Sequence, residues 1–461
     1  MARPDKLISD ELLPAFFEER RKLDVIDSWM RWDHDKPVSA HQATREHQEL
    51  AKRAQTPLGH LIVTAVAQEM YVKGYRRSAA EDGEEPSQED NTPWRIWQAN
   101  GMAARQIALH RAALGYGEAY TVVLPGSTTL GERIPVIRPV SPRRGMAFWL
   151  DPAEDDWPAY FLRCDPAKID GGMGWVIRLY DDEVVWRYQA GAEGSGLKYV
   201  TYEEHGIGVT PVVRYANQMD LEGRTPGEIE PFIPIMARID QTTFDRLLIQ
   251  RHQSWKVRTI SGMTLPDNDE QQNMAKMKLS VEDVLVAQDP DTKFGTLPET
   301  TPDGTINSTK FDLQLLSAVS QTPSYELLGD LINLSAEALV AARSSLARKA
   351  KERKESFGEK HGQTLRLGSR IMGDLDAAQD WQGGVLWEDT EGRSLGQAAD
   401  ALGKMATMLG VPVEMLWEQI PGWTQTDVER AKELVANGDS ITQLLTELAA
   451  GQSSQSDGLV A

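Results

Sequence analysis

Between Pro323 and Pro412 the chain contains no proline. Proline inside a helix removes a hydrogen bond and clashes with the preceding turn, so a stretch without it can carry one long helix. The sequence predicts a very long helix over 335–378, with Ser335 as its N-cap and Gly358, Gly362 and Gly368 as kink points. The part before Gly358 offers roughly 23 helical positions, about 35 Å at 1.5 Å each. Its section 343–360 holds seven bases and three acids, the clearest basic segment of the chain.

That segment sits in an acidic background. The 461 residues carry 69 acids against 49 bases, a formal net charge of −20, which disfavours a broad, tight grip on phosphates. Apolar residues at 41% and charged residues at 26% suit two to four globular modules. A single cysteine, Cys164, excludes an intramolecular disulfide framework and a four-cysteine zinc site, and points to a reducing compartment. No apolar run reaches about 18 residues, so no membrane span is expected. The first twenty residues lack the layout of a signal peptide, and the expectation is a soluble, intracellular product.

Residues 9–32 read as an amphipathic helix on Leu12, Leu13, Phe16, Phe17, Leu23 and Ile26. A second helix is expected at about 40–54, and 56–76 as a buried helix or strand edge. Residues 81–90, with six acids in ten, read as a solvated loop. Trp94, Ile96 and Trp97 open an aromatic helix. Another covers about 101–114, Gly115-Tyr116-Gly117 breaks it, and a strand follows. From 119 to 215, short apolar runs separated by Asp, Gly and Pro predict a mostly antiparallel sheet. Trp149, Trp157, Trp175 and Trp186 read as core or sheet-face residues.

The character changes at Thr225. Thr225, Pro226 and Glu228 have the form of a capping box. Pro231 and Pro234 delay the continuous helix to about 234, from where it runs to about Trp255, with Ile235, Ile239, Leu247 and Leu248 on its apolar side. Residues 256–304 read as a compact α+β insertion with a small helix at 269–279. A helix returns over 307–321 with Phe311, Leu315 and Val319 on one stripe. Pro323 and Gly329 mark a break. A short strand is expected at 381–387, two or three helices over 394–449, and a flexible end.

The chemistry-bearing patterns are missing. There is no phosphate-loop, nucleophile-elbow, His-Glu-x-x-His or Cys-x-x-Cys string. Asp33, His34 and Asp35 are adjacent and do not converge on one ion, and the pairs Asp155–Asp156 and Asp181–Asp182 read as turn residues. His110, alone on its helix, reads as a packing or surface residue. The expectation is no catalytic residue, no metal and no cofactor.

The order of elements, with the segments 97–126, 235–248 and 320–339, resembles the tailed-phage portal proteins of the SPP1-like type found among phages of actinobacteria. The resemblance implies an α+β, portal-like fold. Its parts would be a wing of helices and antiparallel sheet (1–225), a first stem helix (226–255), a small α+β clip (256–304) and a second stem helix (305–321). A tunnel loop (322–334), a long kinked helix with a return strand of the wing (335–393), a helical crown (394–450) and a flexible tail (451–461) would follow. It further implies a ring of about twelve subunits at one capsid vertex, with no activity of its own. Double-stranded DNA would pass through it without specific binding during packaging and ejection. Its partners would be the terminase motor, the head–tail connector or adaptor and the major capsid protein, without a membrane. It would sit in the virion, and in the host cytoplasm during assembly.

On this resemblance the tunnel-loop residues nearest DNA would be Ser324, Tyr325, Glu326, Asp330 and Asn333, none of them basic. Lys310 is the lone candidate cation on the channel side of the second stem helix. Arg348, Lys349, Lys351, Arg353 and Lys354 form the basic patch of the long helix. They would lie beside DNA, or form a solvated or inter-subunit salt-bridge face, the usual fate of mixed charge on a helix. About twelve copies would carry a formal charge of about −240, which suits a conduit that does not hold DNA and must be offset by large interfaces. Two other readings are a minor capsid or connector protein without a channel, and a soluble enzyme with the tryptophan-rich sheet as its pocket.

Overall fold

A computed structural model describes residues 3–35, 45–78, 91–127, 131–169, 172–253, 258–261, 293–296, 302–329, 336–388, 395–420, 422–423 and 425–436. It is an α+β protein that divides into two compact units. The first comprises 1–34, 57–233 and 317–461, and the second 35–56 and 234–316.

In chain order, a helical turn and a π turn (Ile8–Leu12) lead into α1 (Leu13–Met30). Then come α2 (Arg45–Ala54), α3 (Leu58–Gln68), β1 (Val72–Arg76), α4 (Thr92–Ala99) and α5 (Met102–Tyr116). The strands are β2 (Glu118–Leu124), β3 (Val136–Val140), β4 (Gly145–Phe148), β5 (Tyr160–Ile169), β6 (Gly172–Tyr180), β7 (Val184–Ala190), β8 (Lys198–Glu204) and β9 (Val212–Ala216). After them come α6 (Ile233–Gln253), β10 (Arg258–Ser261), β11 (Lys293–Thr296), α7 (Asp303–Ser320) and the short α8 (Ser324–Leu328). The long helix α9 (Ala336–Met372), α10 (Leu375–Ala378), β12 (Gly384–Trp387), α11 (Leu395–Leu409), α12 (Val413–Leu416) and α13 (Gln425–Ala436) complete it.

In the first unit, β4 to β8 form a five-stranded meander and β3-β2-β9 a three-stranded sheet, all antiparallel. Period-two alternation splits the meander's side chains between two cores. Leu162, Cys164, Ile177, Leu179, Trp186 and Tyr188 bury against Ile8, Leu12, Leu13 and Phe16 of the N-terminal helix. Phe161, Tyr180 and Val185, pointing the other way, meet Tyr120, Val122, Val140 and Val212 of the second sheet. The four tryptophans divide accordingly. Trp186 is buried, Trp175 and Trp149 pack at the edges of these cores, and Trp157 is half-buried. The strand β8, within the expected sheet region, is almost wholly exposed.

The long helix differs from expectation in two respects. It runs as one uninterrupted α-helix through Gly358, Gly362 and Gly368, and it ends at Met372. Gly373 (φ +89°) stops it, and Asp374 caps the separate α10 by accepting from the Ala377 amide. A methyl on Gly368 would stand 3.3 Å from Ile96, tighter than usual, and one on Gly362 3.1 Å from the end of the Arg366 side chain, whereas one on Gly358 would meet Trp387 Nε1 at an ordinary 3.4 Å. The return strand β12 pairs antiparallel with β1, Val72 opposite Trp387. The expected N-cap Ser335 lies outside the described residues.

A buried hydrogen-bonded chain fixes α9 to α5 and both neighbouring strands. His110 Nδ1 lies 3.1 Å from the Met70 carbonyl, which can only accept, so this nitrogen carries the proton. His110 Nε2 therefore accepts from His361 Nε2 at 2.8 Å, and His361 Nδ1 accepts from the Tyr215 hydroxyl at 3.0 Å. Tyr215 is 2.8 Å from Thr364 Oγ1, which is 2.9 Å from Thr121 Oγ1. The direction works only with both imidazoles neutral. Burial pushes His110 down to about 4, and burial with the neighbouring ring holds His361 well below its ordinary value.

The second unit packs α2 on α6 through Leu50, Ala51, Ala54 and Phe244, with Asp240 accepting from the Thr56 amide at 3.0 Å. The sequence reading placed this α2 region with the N-terminal module instead. Arg238 of α6 grips Asp312 of α7 through two bonds of 3.0 and 2.7 Å. The strands β10 and β11 pair antiparallel. The helix expected at 269–279 lies outside the described residues.

A base whose folded pKa is depressed stabilises the fold fully above its unfolded value, and loses that contribution as pH falls toward the folded one. For His110 the window runs from 6.5 down to about 4. Unfolding free energy measured by denaturant titration should fall less steeply over this window in a His110→Gln/His361→Gln variant than in the unsubstituted chain.

Candidate functional site

The sequence-selected residues fall on three adjoining stretches: α7, the short α8 after it, and the first half of α9. Along α7, Asp312, Leu316 and Ser320 are buried. The opposite side is exposed and divides into two ridges. Phe311, Leu315 and Val319 stand 65, 36 and 45% exposed. Asn307, Lys310 and Gln314 form a polar ridge beside them, about 100° around the helix. The spacing thus located an apolar stripe correctly, but within the chain this stripe is not the packed one. Arg238 turns the Asp312 face inward instead.

Helix α7 ends at Gln321, a non-glycine residue in the left-handed region (φ +55°). Ser317 Oγ donates to the Thr322 carbonyl, and Pro323 opens α8. Ser324 is exposed, whereas Tyr325 and Glu326 are half-buried. Burial raises the Glu326 carboxyl, against the pull of Arg343. Arg343 itself donates to Glu69 at 2.8 Å. Asp330 and Asn333 lie outside the described residues.

The basic patch separates into two sets. Arg348 and Lys351 are exposed, one turn from the exposed acids Glu352 and Glu355. Lys354 is half-buried, with Nζ reaching the Glu388 carbonyl at 3.4 Å. Lys349 and Arg353 are not surface residues. Their side chains are 5 and 3% exposed and converge on the buried Glu228. Lys349 Nζ lies 2.5 Å from Glu228 Oε2, and Arg353 Nη2 lies 3.0 Å from Oε1. Lys349 Nζ also donates to the Ser320 carbonyl at 2.9 Å.

Glu228 is the residue that sequence reasoning misassigned. Thr225-Pro226-Gly227-Glu228 starts no helix; a 3-10 turn at Glu230–Phe232 precedes α6. The segment instead crosses the C-terminus of α5, where Glu228 N–H donates to the Leu114 carbonyl at 2.7 Å. Gly117 (φ +97°) permits that crossing, because a Cβ there would stand 1.9 Å from the Thr225 carbonyl oxygen. Burial alone would raise the Glu228 carboxyl, but Lys349 and Arg353 outweigh it and hold the group below its ordinary value.

Among the described residues no group of three or more His, Cys, Asp or Glu could hold a metal ion, and no helix is long and apolar enough to cross a membrane. What these helices carry is a set of surfaces and buried ion pairs, and their class follows from similarity. The "Portal protein" of Mycobacterium phage D29 is 25% identical over 421 residues, 86% of this chain and 81% of that protein. The "Portal protein" of Mycobacterium phage L5 is 26% identical over 427 residues, 87% and 82% of the two chains. Both relatives are phage portal proteins, and that is the class to which the similarity points. More particularly, the sequence profile described as "Phage portal protein, SPP1 Gp6-like" matches residues 10–441. The chain belongs to that family of phage portal proteins.

Removing one partner of a buried ion pair strands the other, which costs about 3–5 kcal/mol, whereas an exposed change usually stays within about 0.5 kcal/mol. Lys349→Met and Glu228→Gln should therefore lower unfolding free energy by about 3–5 kcal/mol. Lys351→Met should leave it nearly unchanged, as read by chemical denaturation.

Proposed function

We propose that this portal protein assembles as a ring of about twelve copies in which α6 and α7 form the stem. The tunnel loop would begin at α8, β10 and β11 belong to the clip, and α11 to α13 form the crown. One observation carries the reading: α7 exposes an apolar ridge (Phe311, Leu315, Val319) beside a polar ridge (Asn307, Lys310, Gln314). A contiguous exposed apolar ridge on a firmly held helix marks a protein contact surface. A neighbouring copy covers that ridge, and the polar ridge faces the channel.

Lys310 is the one cation on the channel ridge, and the described tunnel-loop positions Ser324, Tyr325 and Glu326 add none. With a subunit charge of −20, the lumen gives double-stranded DNA little to bind. That suits passage in both packaging and ejection. The clip would meet the terminase motor first and the head–tail connector later. The wing would sit against the major capsid protein, with assembly in the host cytoplasm.

A Phe311→Asp/Leu315→Asp variant should keep the subunit's stability within about 1 kcal/mol, because both side chains are already exposed. It should fail to form the ring that the unsubstituted chain forms under identical conditions, by mass photometry and negative-stain imaging. Rings formed equally well by the variant would contradict the assignment of this ridge.

A further inference from the structure

The segment 234–316 of the second unit is entered and left at two places that meet on α9. The entry is the segment 225–232 and the exit is the end of α7 with α8. The entry is tightly held. Glu228 N–H bonds Leu114, Asn217 Nδ2 donates to the Pro226 carbonyl at 3.1 Å, and Ile229 is fully buried. A Cβ on Gly227 would stand 2.3 Å from the Gly115 carbonyl oxygen, so this crossing has no slack.

The exit is a helix C-terminus, with Ser317 Oγ donating to the Thr322 carbonyl at 2.7 Å and Ser320 Oγ to Thr322 Oγ1 at 3.1 Å. Its last helical carbonyls lack partners within the helix, as at every helix C-terminus. One of them, Ser320 C=O, takes the ammonium of Lys349. A cation at that position also favours the negative end of the helix dipole. The same ammonium is aimed by Glu228, which Arg353 holds from the next turn of α9.

We infer that Lys349 is a coupling residue that fastens the exit of the insertion to its rigid entry. Glu228 positions the ammonium, the ammonium caps α7, and the start of α8 inherits the order of the 225–232 segment. Glu228 itself has no bond to any residue of 318–329 among those described; its effect there passes through Lys349.

Hydrogen–deuterium exchange on the full chain tests this, with Lys351→Met as a surface control and the β6 amides as the internal reference. In Glu228→Gln the amides of 318–329 should exchange at least about tenfold faster, beyond any change at β6. Lys349→Met should do the same. If Glu228→Gln leaves 318–329 unchanged while Lys349→Met accelerates it, Lys349 holds the exit alone and the coupling is refuted. If neither variant changes the segment, the strut carries no order at all. Exchange of the unsubstituted chain in low denaturant decides the matter without any substitution. Entry and exit amides should open in one shared transition, and separate transitions would overturn the inference.

Discussion

A buried carboxylate needs a compensating cation, and the first unit is organised around one that has two. Glu228 lies where the chain crosses from the sheet region toward α6, and it takes Lys349 and Arg353 from successive turns of α9. An ion pair taken fully out of water gains little net stability over an apolar contact of the same shape. Its value is geometric, because an uncompensated partner is so costly that few other arrangements survive. The long helix is thereby fixed in register against the 225–232 segment. Further along, the neutral His110–His361 pair and the Tyr215–Thr364–Thr121 bonds fix the same helix against α5, β9 and β2. Each contact is polar, buried and directional, whereas apolar packing alone tolerates a slipped register.

Much of the architecture was legible because it is written in local periodicity. The strands β2 to β7 and β9 announce themselves through alternation and turn residues, since each has at least one buried face. Strand β8 does not, because nearly every residue of Lys198–Glu204 is exposed and no alternation is imposed on it. The stripe Phe311–Leu315–Val319 was visible from spacing, but spacing gives no sign of which side is covered. That depended on Arg238, 74 residues from Asp312.

The misreadings of Glu228 and of the basic segment 343–360 share a cause. Thr225 and Glu228 have the spacing of a capping box, yet the partners of Glu228 lie more than a hundred residues onward. Composition likewise made 343–360 a single basic patch. A finer signal was present: Leu346, Lys349, Ala350, Arg353 and Phe357 recur at helical spacing on one buried stripe. Two cations within an apolar stripe call for a buried acid, and in a chain with 69 acids its identity could not be singled out from sequence. The glycines of α9 misled as break points, since the helix runs through all three without interruption.

For a portal protein the division of labour on α7 matters most. One side is buried within the subunit, one exposed ridge is apolar, and the next is polar with a single cation. Three different surroundings on one helix are what a ring wall requires: its own subunit, a neighbour, and a water-filled lumen. The decisive measurement is a cryo-electron microscopy reconstruction of the assembled ring. The account predicts Phe311, Leu315 and Val319 buried against the adjacent subunit, with Asn307, Lys310 and Gln314 lining the central channel. A ring in which the apolar ridge faces the lumen, or in which α7 touches neither neighbour nor channel, would contradict it.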